Sequence, residues 1–389
     1  MRVVTVLTSL GVGGAEKQAL AVAERMEKRG HEVALLVLRA QLAQEWRTAL
    51  RRVHLDIHGM REKPVSIVMG WRQAQRFLRD FRPDVVHSHS FHANLLARLL
   101  QIGARIRRST GARRAAVIST VHNVYEGGWM RMLAYRLTDG WSDCTVAVSE
   151  AAAERFMRLK AIRRDQCLVR ANGIDSVEFA PDHERRAAER TAMGVASCFV
   201  WLSAGRVTPA KDFPNLLRAF AIVRMEAPES ELWIAGALLE AKEAISTGGL
   251  ARESLAKDAE RSRLERVRWL GLRRDMPALM DAADGFVLAS AWEGMPLVLG
   301  EAMAMEKPVV ATNVGGVRQL VGDCGAIVPA KNPETLAAAM LKTMRQSREE
   351  RAQLGRIARE RIVRQFSIDA VADWWEGTYQ QVLGSGSRD

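Results

Sequence analysis

The stretch Ser290-Ala291-Trp292-Glu293-Gly294-Met295-Pro296-Leu297-Val298-Leu299-Gly300-Glu301 sets two carboxylates around a helix start. Pro296 suits the first turn of a helix, so Glu293 falls in the preceding loop and Glu301 more than a turn inside. Both carboxylates can then face one ligand and accept hydrogen bonds from sugar hydroxyls. Gly294, Met295, Pro296 and Leu297 put loop amides near a helix N-terminus, a place that suits a phosphate or a hydroxyl. A second group is Arg206-Val207-Thr208-Pro209-Ala210-Lys211. Its Arg and Lys, five residues apart after a strand, can converge on one diphosphate, Arg as a fork and Lys as a point charge. The third is the loop Ser9-Leu10-Gly11-Val12-Gly13-Gly14-Ala15-Glu16, whose glycines let a backbone approach a phosphate. Glu16 stands where the dinucleotide fingerprint needs Gly or Ala, and the second strand ends in Arg39 instead of an acid. Nicotinamide dinucleotides are therefore disfavoured. Each group also has a plainer reading, as a ligand-free turn, a solvated basic loop or a capped amphipathic helix.

His87, His89 and His92 have the types, but not the company, of a zinc site: no adjacent thiol or carboxylate completes the set. No metal and no cofactor is expected. His122 stands at the C-terminal end of a strand in Thr120-Val121-His122-Asn123, where a ligand-facing role outweighs a core one. Arg105, Arg107, Arg108, Arg113 and Arg114 are followed by the amphipathic run Trp129-Met130-Arg131-Met132-Leu133-Ala134-Tyr135-Arg136. That combination suits docking on an anionic leaflet; a core-facing helix beside a solvated basic loop is the competing reading.

Such groups need rigid strand ends to hold them. In the first half, short β-branched runs at Val3–Leu7, Glu32–Leu38, Asp84–His87, Val117–Val121 and Cys144–Val148 alternate with helical periods. The helices expected there are Glu16–Arg29, Val65–Phe81, Asn94–Leu100 and Trp129–Leu137. A second cycle, with strands at Phe199–Ser203, Leu232–Ala235, Val267–Leu270, Gly285–Ala289 and Val309–Thr312, follows the charged stretch Asp182–Arg190, which reads as a linker. The pattern predicts an α/β protein of two tandem Rossmann-like, doubly wound domains facing a central cleft. The expected bounds are 1–175 and 176–366, with a last helix at 367–384 packing back on the first domain. The 389 residues suit two such domains. Lysine and arginine number 57 against 45 acids, an excess that implies an anionic partner: nucleotide, nucleic acid or membrane. Four dispersed cysteines without a CxxC fit a reducing cytoplasm, and Val3–Leu7 reads as a buried strand rather than a leader.

Taken together, the motifs resemble the retaining family 4 glycosyltransferases of the GT-B fold, in the glycogen-phosphorylase-like group. The resemblance runs through Gly13–Glu16 (GGAE), His87–His89 (HSH), Thr120–Asn123 (TVHN), Ala147–Glu150 (AVSE) and Asn172–Asp175 (NGID). It continues through Gly205–Lys211, Trp269–Gly271, the Glu293-x7-Glu301 block, Lys307–Thr312 and Thr312–Gly316 (TNVGG). It implies sugar transfer with retention from a nucleotide-sugar donor, UDP before GDP, to an acceptor held by the N-terminal half, and the net positive charge, the Arg105–Arg114 cluster and the Trp129–Arg136 stretch in that half make a lipid-linked acceptor the expectation. It gives Gly13 and Gly14 amide contacts to the donor diphosphate, and Arg206 and Lys211 the neutralisation of that diphosphate as it leaves. Glu301 would bind ribose, Glu293 a hydroxyl of the moving sugar, and the backbone around Leu270 the base. His122 would sit beside the reacting sugar, with His89 and Asn123 on the acceptor side. Two departures are Gln319, where many relatives carry Glu, and Ala237-Leu238-Leu239 after Gly236, where a second glycine is common. An epimerase of the same architecture, a non-catalytic scaffold and a basic nucleic-acid-binding protein are the alternatives. The last is opposed by the absence of any helix-turn-helix, zinc-finger or ribonucleoprotein motif. No nucleic-acid partner is therefore expected, and the protein is placed in the cytoplasm, peripheral on the inner face of the membrane.

Overall fold

The computed structural model describes residues 1–11, 13–39, 48–55, 64–106, 114–195, 197–236 and 265–385. The chain divides into two compact units, Met1–Gly173 with Ile368–Asp389, and Ile174–Ser367. Each is a parallel sheet between helices.

In the first unit the sheet has seven strands: β1 (Arg2–Leu7), β2 (Glu32–Val37), β3 (Arg51–His54), β4 (Val85–His89), β5 (Ala116–Val121), β6 (Cys144–Ala147) and β7 (Cys167–Val169). Their order is β3-β2-β1-β4-β5-β6-β7, every neighbour parallel. The central strands are buried on both faces, which is why they read as continuous Val/Ile/Leu runs. Helices α1 (Gly14–Lys28), α2 (Pro64–Phe81), α3 (Phe91–Ile106), α4 (Trp129–Thr138) and α5 (Glu150–Arg158) supply the crossovers. On one face, Leu20, Ala23 and Met26 of α1 share a core with Val3, Leu35 and Val85; on the other, Phe77, Phe81, Ala93 and Ala97 cover Val4, Leu36 and Val86.

The second unit opens with α6 (His183–Ala192) and holds strands β8 (Val200–Ala204), β9 (Glu231–Ala235), β10 (Val267–Gly271), β11 (Gly285–Leu288), β12 (Val309–Thr312) and β13 (Ala326–Val328). Their order, β10-β9-β8-β11-β12-β13, reverses direction between β8 and β11 as the first sheet's does between β1 and β4. Helices α7 (Phe213–Glu226), α8 (Met276–Ala282), α9 (Leu297–Ala304), α10 (Val317–Val321), α11 (Pro333–Arg345) and α12 (Arg348–Gln365) complete it. The last helix, α13 (Ile368–Ser385), belongs to the first unit: Val371, Ala372, Trp375 and Tyr379 enter its core, and Arg25 of α1 and Arg29, which caps its C-terminus, pair with Asp369 and Glu376.

One reading is corrected here. The stretch Asp182–Arg190 is no linker but the start of α6, capped by the Asp182 carboxylate. Arg185 binds Asp281 at 2.5 Å, while Arg186 and Arg190 both bind Asp284, so its charges are spent inside the second unit. A run of alternating charge marked a paired helix, not a solvated spacer. The strand expected at Asp84–His87 runs on to His89, carrying two polar side chains into the sheet edge.

Candidate functional site

In doubly wound sheets, ligands bind beyond the carboxyl ends of the strands where strand order reverses. In the second unit that point lies after β8 and β11, the strands that lead into Arg206–Lys211 and Ser290–Leu297. These loops are fastened to each other. The Ala291 N–H donates to the Ala210 carbonyl at 2.8 Å, and Lys211 Nζ donates to Glu293 Oε1 at 2.5 Å. Ser290 Oγ donates to the same carboxylate oxygen at 2.7 Å, and Thr312 Oγ1, from the end of β12, donates to the Ser290 carbonyl at 2.6 Å. A third loop closes over this pair: the Gly316 N–H donates to the Gly294 carbonyl at 2.7 Å. Gly315 has φ of 53°, and a Cβ there would run into the Glu293 carbonyl, so a glycine is needed at the first position of the Gly-Gly pair where TNVGG meets the Glu293 turn.

Lys211 is shaped by its neighbours as well. Gly205, at φ of 150°, leaves room for the lysine's methylenes, and a Cβ would strike them. Asp212 then turns left-handed, with φ of 45°, and caps α7 through the Asn215 N–H. Arg206 is exposed, and among the described residues no hydrogen bond joins it to the Lys211–Glu293 pair. Leu270, half-buried on β10, is followed by Gly271 at φ of 66°, whose carbonyl accepts from the Gly236 N–H.

Around the second carboxylate, Pro296 is the N-cap of α9 rather than a residue of its first turn, so the helix begins at Leu297. Proline has no N–H, which leaves Gly294, Met295 and Leu297 as the amide donors of this turn. Glu301 sits on α9 as expected and is 7% exposed; Glu293 is 8% exposed. Burying a carboxylate is costly unless it is paired, and Glu293 is paired with Lys211. Gln319 lies on α10, its carbonyl accepting from Arg361. Residues 237–239 lie outside the described residues.

The first unit has its own cluster, at the ends of β4 and β5. His87 is buried, with Nδ1 2.7 Å from the Tyr379 hydroxyl and Nε2 2.8 Å from Thr120 Oγ1. Both its ring nitrogens are thus occupied, and its ring lies 4.2 Å from that of Trp375. His89 Nδ1 is 3.0 Å from His122 Nε2, so one nitrogen must donate and the other accept. Burial holds all three imidazoles neutral: the pKa falls to about 3 at His87 and about 4 at His122, and well below the usual value at His89. His92, the remaining member of that sequence group, is exposed on α3. Asn123 Oδ1 accepts from the Tyr125 N–H at 3.3 Å, a side-chain turn just after His122.

Sequence reasoning passed over Glu126. Its Oε1 accepts the His122 backbone N–H at 2.9 Å, and its Oε2 accepts the Tyr135 hydroxyl at 2.6 Å. Asn94 Nδ2 donates to that hydroxyl and to the Thr120 carbonyl. Burial pushes the Glu126 carboxyl up despite these donors. A lone Glu four residues after a His in a Gly-containing loop gives no periodic signal, so only the folded chain reveals the contact.

Gly13 is the N-cap of α1, and Gly14, its first residue, is exposed. Ser9 Oγ donates to Glu16 Oε1 at 3.2 Å, and the Glu16 carboxylate lies where a Cβ on Gly13 would stand. The residues assigned to one donor therefore divide between the units: Gly13 and Gly14 in the first, Arg206, Lys211, Leu270, Glu293 and Glu301 in the second. In the basic cluster, only the side chain of Arg114 is described, bound to Asp143; those of Arg105, Arg107, Arg108 and Arg113 lie outside the described residues.

Two family models match the chain side by side. One, Glycosyltransferase Family 4, matches residues 12–178, and the other, Glycosyl transferases group 1, matches 198–346. Among characterised proteins, the chain is 26% identical over 263 residues to the UDP-Gal:alpha-D-GlcNAc-diphosphoundecaprenol alpha-1,3-galactosyltransferase of Escherichia coli. That match takes in 63% of this chain and 62% of the galactosyltransferase. It is 27% identical over 315 residues to the glycogen synthase of Mycobacterium tuberculosis, covering 76% of this chain and 68% of the other. Among solved structures, HepE of Anabaena in complex with UDP and glucose superposes with a TM-score of 0.83 at 21% identity, over 98% of this chain and 99% of that one.

Proposed function

The chain belongs to glycosyltransferase family 4, and from that membership we propose that it transfers a sugar from a nucleotide-sugar donor, a UDP-sugar, to a lipid-linked acceptor with retention. The observation that carries this reading is the Lys211–Glu293 pair at the switch point of the second sheet. A diphosphate arriving there offers the ammonium a better-charged partner, and the released Glu293 carboxylate is free to accept a sugar hydroxyl. Arg206 adds a second cation to the diphosphate. Glu301 takes the ribose hydroxyls, the backbone around Leu270 takes the base, and amides of Gly13, Gly14, Gly294, Met295 and Leu297 take phosphate or hydroxyl oxygens. His122, His89 and Asn123 serve the acceptor side. Support for UDP comes from HepE, which binds it, and support for a lipid-linked acceptor from the galactosyltransferase, whose name specifies one.

Breaking the anomeric C–O bond leaves positive charge on the sugar and negative charge on the diphosphate. Preorganised cations and amides stabilise that anion. The acceptor oxygen attacks on the face from which the diphosphate departs, and its proton passes to a departing phosphate oxygen. One bond forms where another broke, so configuration is retained.

A thermal-shift screen of nucleotide sugars tests the donor, since a bound ligand raises apparent stability by mass action. Conversion of a nucleotide sugar with no acceptor present would point to an epimerase instead. Glu301→Ala is expected to weaken UDP binding by about 1.5–3 kcal/mol, the usual loss for a hydrogen bond to a charged acceptor. Calorimetry with free UDP checks it, and unchanged affinity removes Glu301 from the donor site. No described helix is long and apolar enough to cross a membrane, and the reading places the protein peripherally on the inner face of one.

A further inference from the structure

Helix α4 is fastened to the first unit by one side only. Tyr135 and Thr138 are buried, the first against Phe91 and Phe156, the second beneath the Arg98 guanidinium. Arg98 is itself fully buried and donates to Ser119, Thr138, Thr145 and the Tyr135 carbonyl, so the inner face of α4 is firmly placed. The other face is apolar and open: Trp129 is 74% exposed, Met130 69%, Leu133 43% and Leu137 68%. At helical spacing these four fall on one side, and Arg136 borders them. Soluble proteins rarely leave so continuous an apolar stripe uncovered without a partner for it.

Charge beside the stripe identifies that partner. Arg136 also lines an open cavity of about 480 Å³ whose other walls are Asp139, Gly140, Met157, Lys160, Ile162 and Arg163. Asp139 is turned to the protein, its carboxylate accepting from the Arg163 backbone at 3.0 Å and from its guanidinium at 3.3 Å. Exposed Arg158, Leu159 and Arg164 continue the same mixture of cations and apolar groups at the end of α5. A second copy of the chain docked by a two-fold axis would set this cation-rich patch against the same cation-rich patch, because such an interface uses one surface on both subunits. An anionic bilayer meets both halves, apolar side chains entering the headgroup boundary and cations resting on lipid phosphates.

We propose that the outer face of α4 and the adjoining Arg136/Lys160/Arg163 cavity form a docking surface for anionic phospholipid, with the headgroup phosphate held in the cavity and Trp129, Met130, Leu133 and Leu137 inserted beside it. The purpose of the surface rests on the lipid-linked acceptor reading, while its existence is tested without substrate. Purified protein is sedimented with phosphatidylcholine vesicles, and with vesicles containing about 30% phosphatidylglycerol, at low and high salt. Binding is expected to the anionic vesicles at low salt and to fall with salt. The variants Leu133→Ser/Leu137→Ser and Arg136→Glu/Lys160→Glu should each weaken it at least about tenfold. Both should keep the wild-type melting temperature and UDP affinity. In the wild type, brominated lipids should quench part of the tryptophan emission, and that part should vanish in Trp129→Phe. No binding at low salt, binding untouched by both double variants, or a concentration-dependent dimer abolished by the leucine variants would each overturn the surface. Transfer assayed in detergent keeps the two readings apart: activity without vesicle binding sinks the docking surface alone, and binding without activity sinks the transferase reading alone.

Discussion

Lys211→Ala is expected to lower kcat/KM by about 10²- to 10³-fold, the range seen when one preorganised donor to a developing anion is removed. In the proposed mechanism the charge that Lys211 opposes grows as the anomeric bond breaks, so the loss should fall on turnover more than on ground-state affinity. A second effect must be separated from it, because the substitution also leaves the nearly buried Glu293 without the ammonium it binds at 2.5 Å. An uncompensated carboxylate could repel the diphosphate and imitate the expected result. Lys211→Ala/Glu293→Gln distinguishes the two causes. If the lysine acts on the diphosphate, the double variant stays at least as impaired as the single one. Recovery of activity in the double variant, or a near-wild-type rate in Lys211→Ala, would remove Lys211 from the transition state.

The architecture was legible because both sheets are parallel and covered on both faces, which turns each strand into an apolar run between amphipathic helices. The strands that escaped notice explain the limit. β3 (Arg51–His54), β7 (Cys167–Val169) and β13 (Ala326–Val328) are edge strands of four, three and three residues, too short for an apolar period to mark them. The second-unit loops were legible for a different reason: strand ends and glycine turns fix their backbone within a few residues of one another in sequence. Glu293 and Glu301 lie on the loop and helix that their spacing implied, and only the helix start moved, by one residue at Pro296. What local spacing could not carry was partnership across the chain. Lys211 with Glu293 joins residues 82 positions apart, and His87 with Tyr379 joins residues 292 apart. The charge of α6 misled for the same reason, since its aspartate partners lie on and just beyond α8.

Acid should unfold the first unit well before carboxylate protonation alone would. His87, His89 and His122 are neutral in the folded chain, with folded pKa values of about 3 at His87 and about 4 at His122. In the unfolded chain each returns to about 6.5 and takes up a proton below that pH. The unfolded state then binds more protons than the folded one, so stability is full above about pH 6.5 and declines as pH falls toward about 4. His87 and His122 each contribute a slope of about 1.4 kcal/mol per pH unit, which comes to about 2 kcal/mol apiece between pH 6.5 and 5, and His89 acts in the same direction. Seven of the eight histidines precede residue 174, and the one in the second unit, His183, is exposed, so the decline should be confined to the first unit. Urea unfolding across that range gives the number of protons taken up from the slope of stability with pH. His122→Gln should reduce the slope by about one proton while leaving the second unit's transition in place. A first-unit stability that stays flat from about pH 7 to 5 would mean that these imidazoles are not buried neutral. In the proposed mechanism the same neutrality is useful, because an uncharged His122 beside His89 would exchange a hydrogen bond with an acceptor hydroxyl without repelling the positive charge that forms on the sugar. Acid sensitivity is the consequence of keeping these imidazoles neutral, and Trp375 and Tyr379 of α13, closing over His87, bury it away from water.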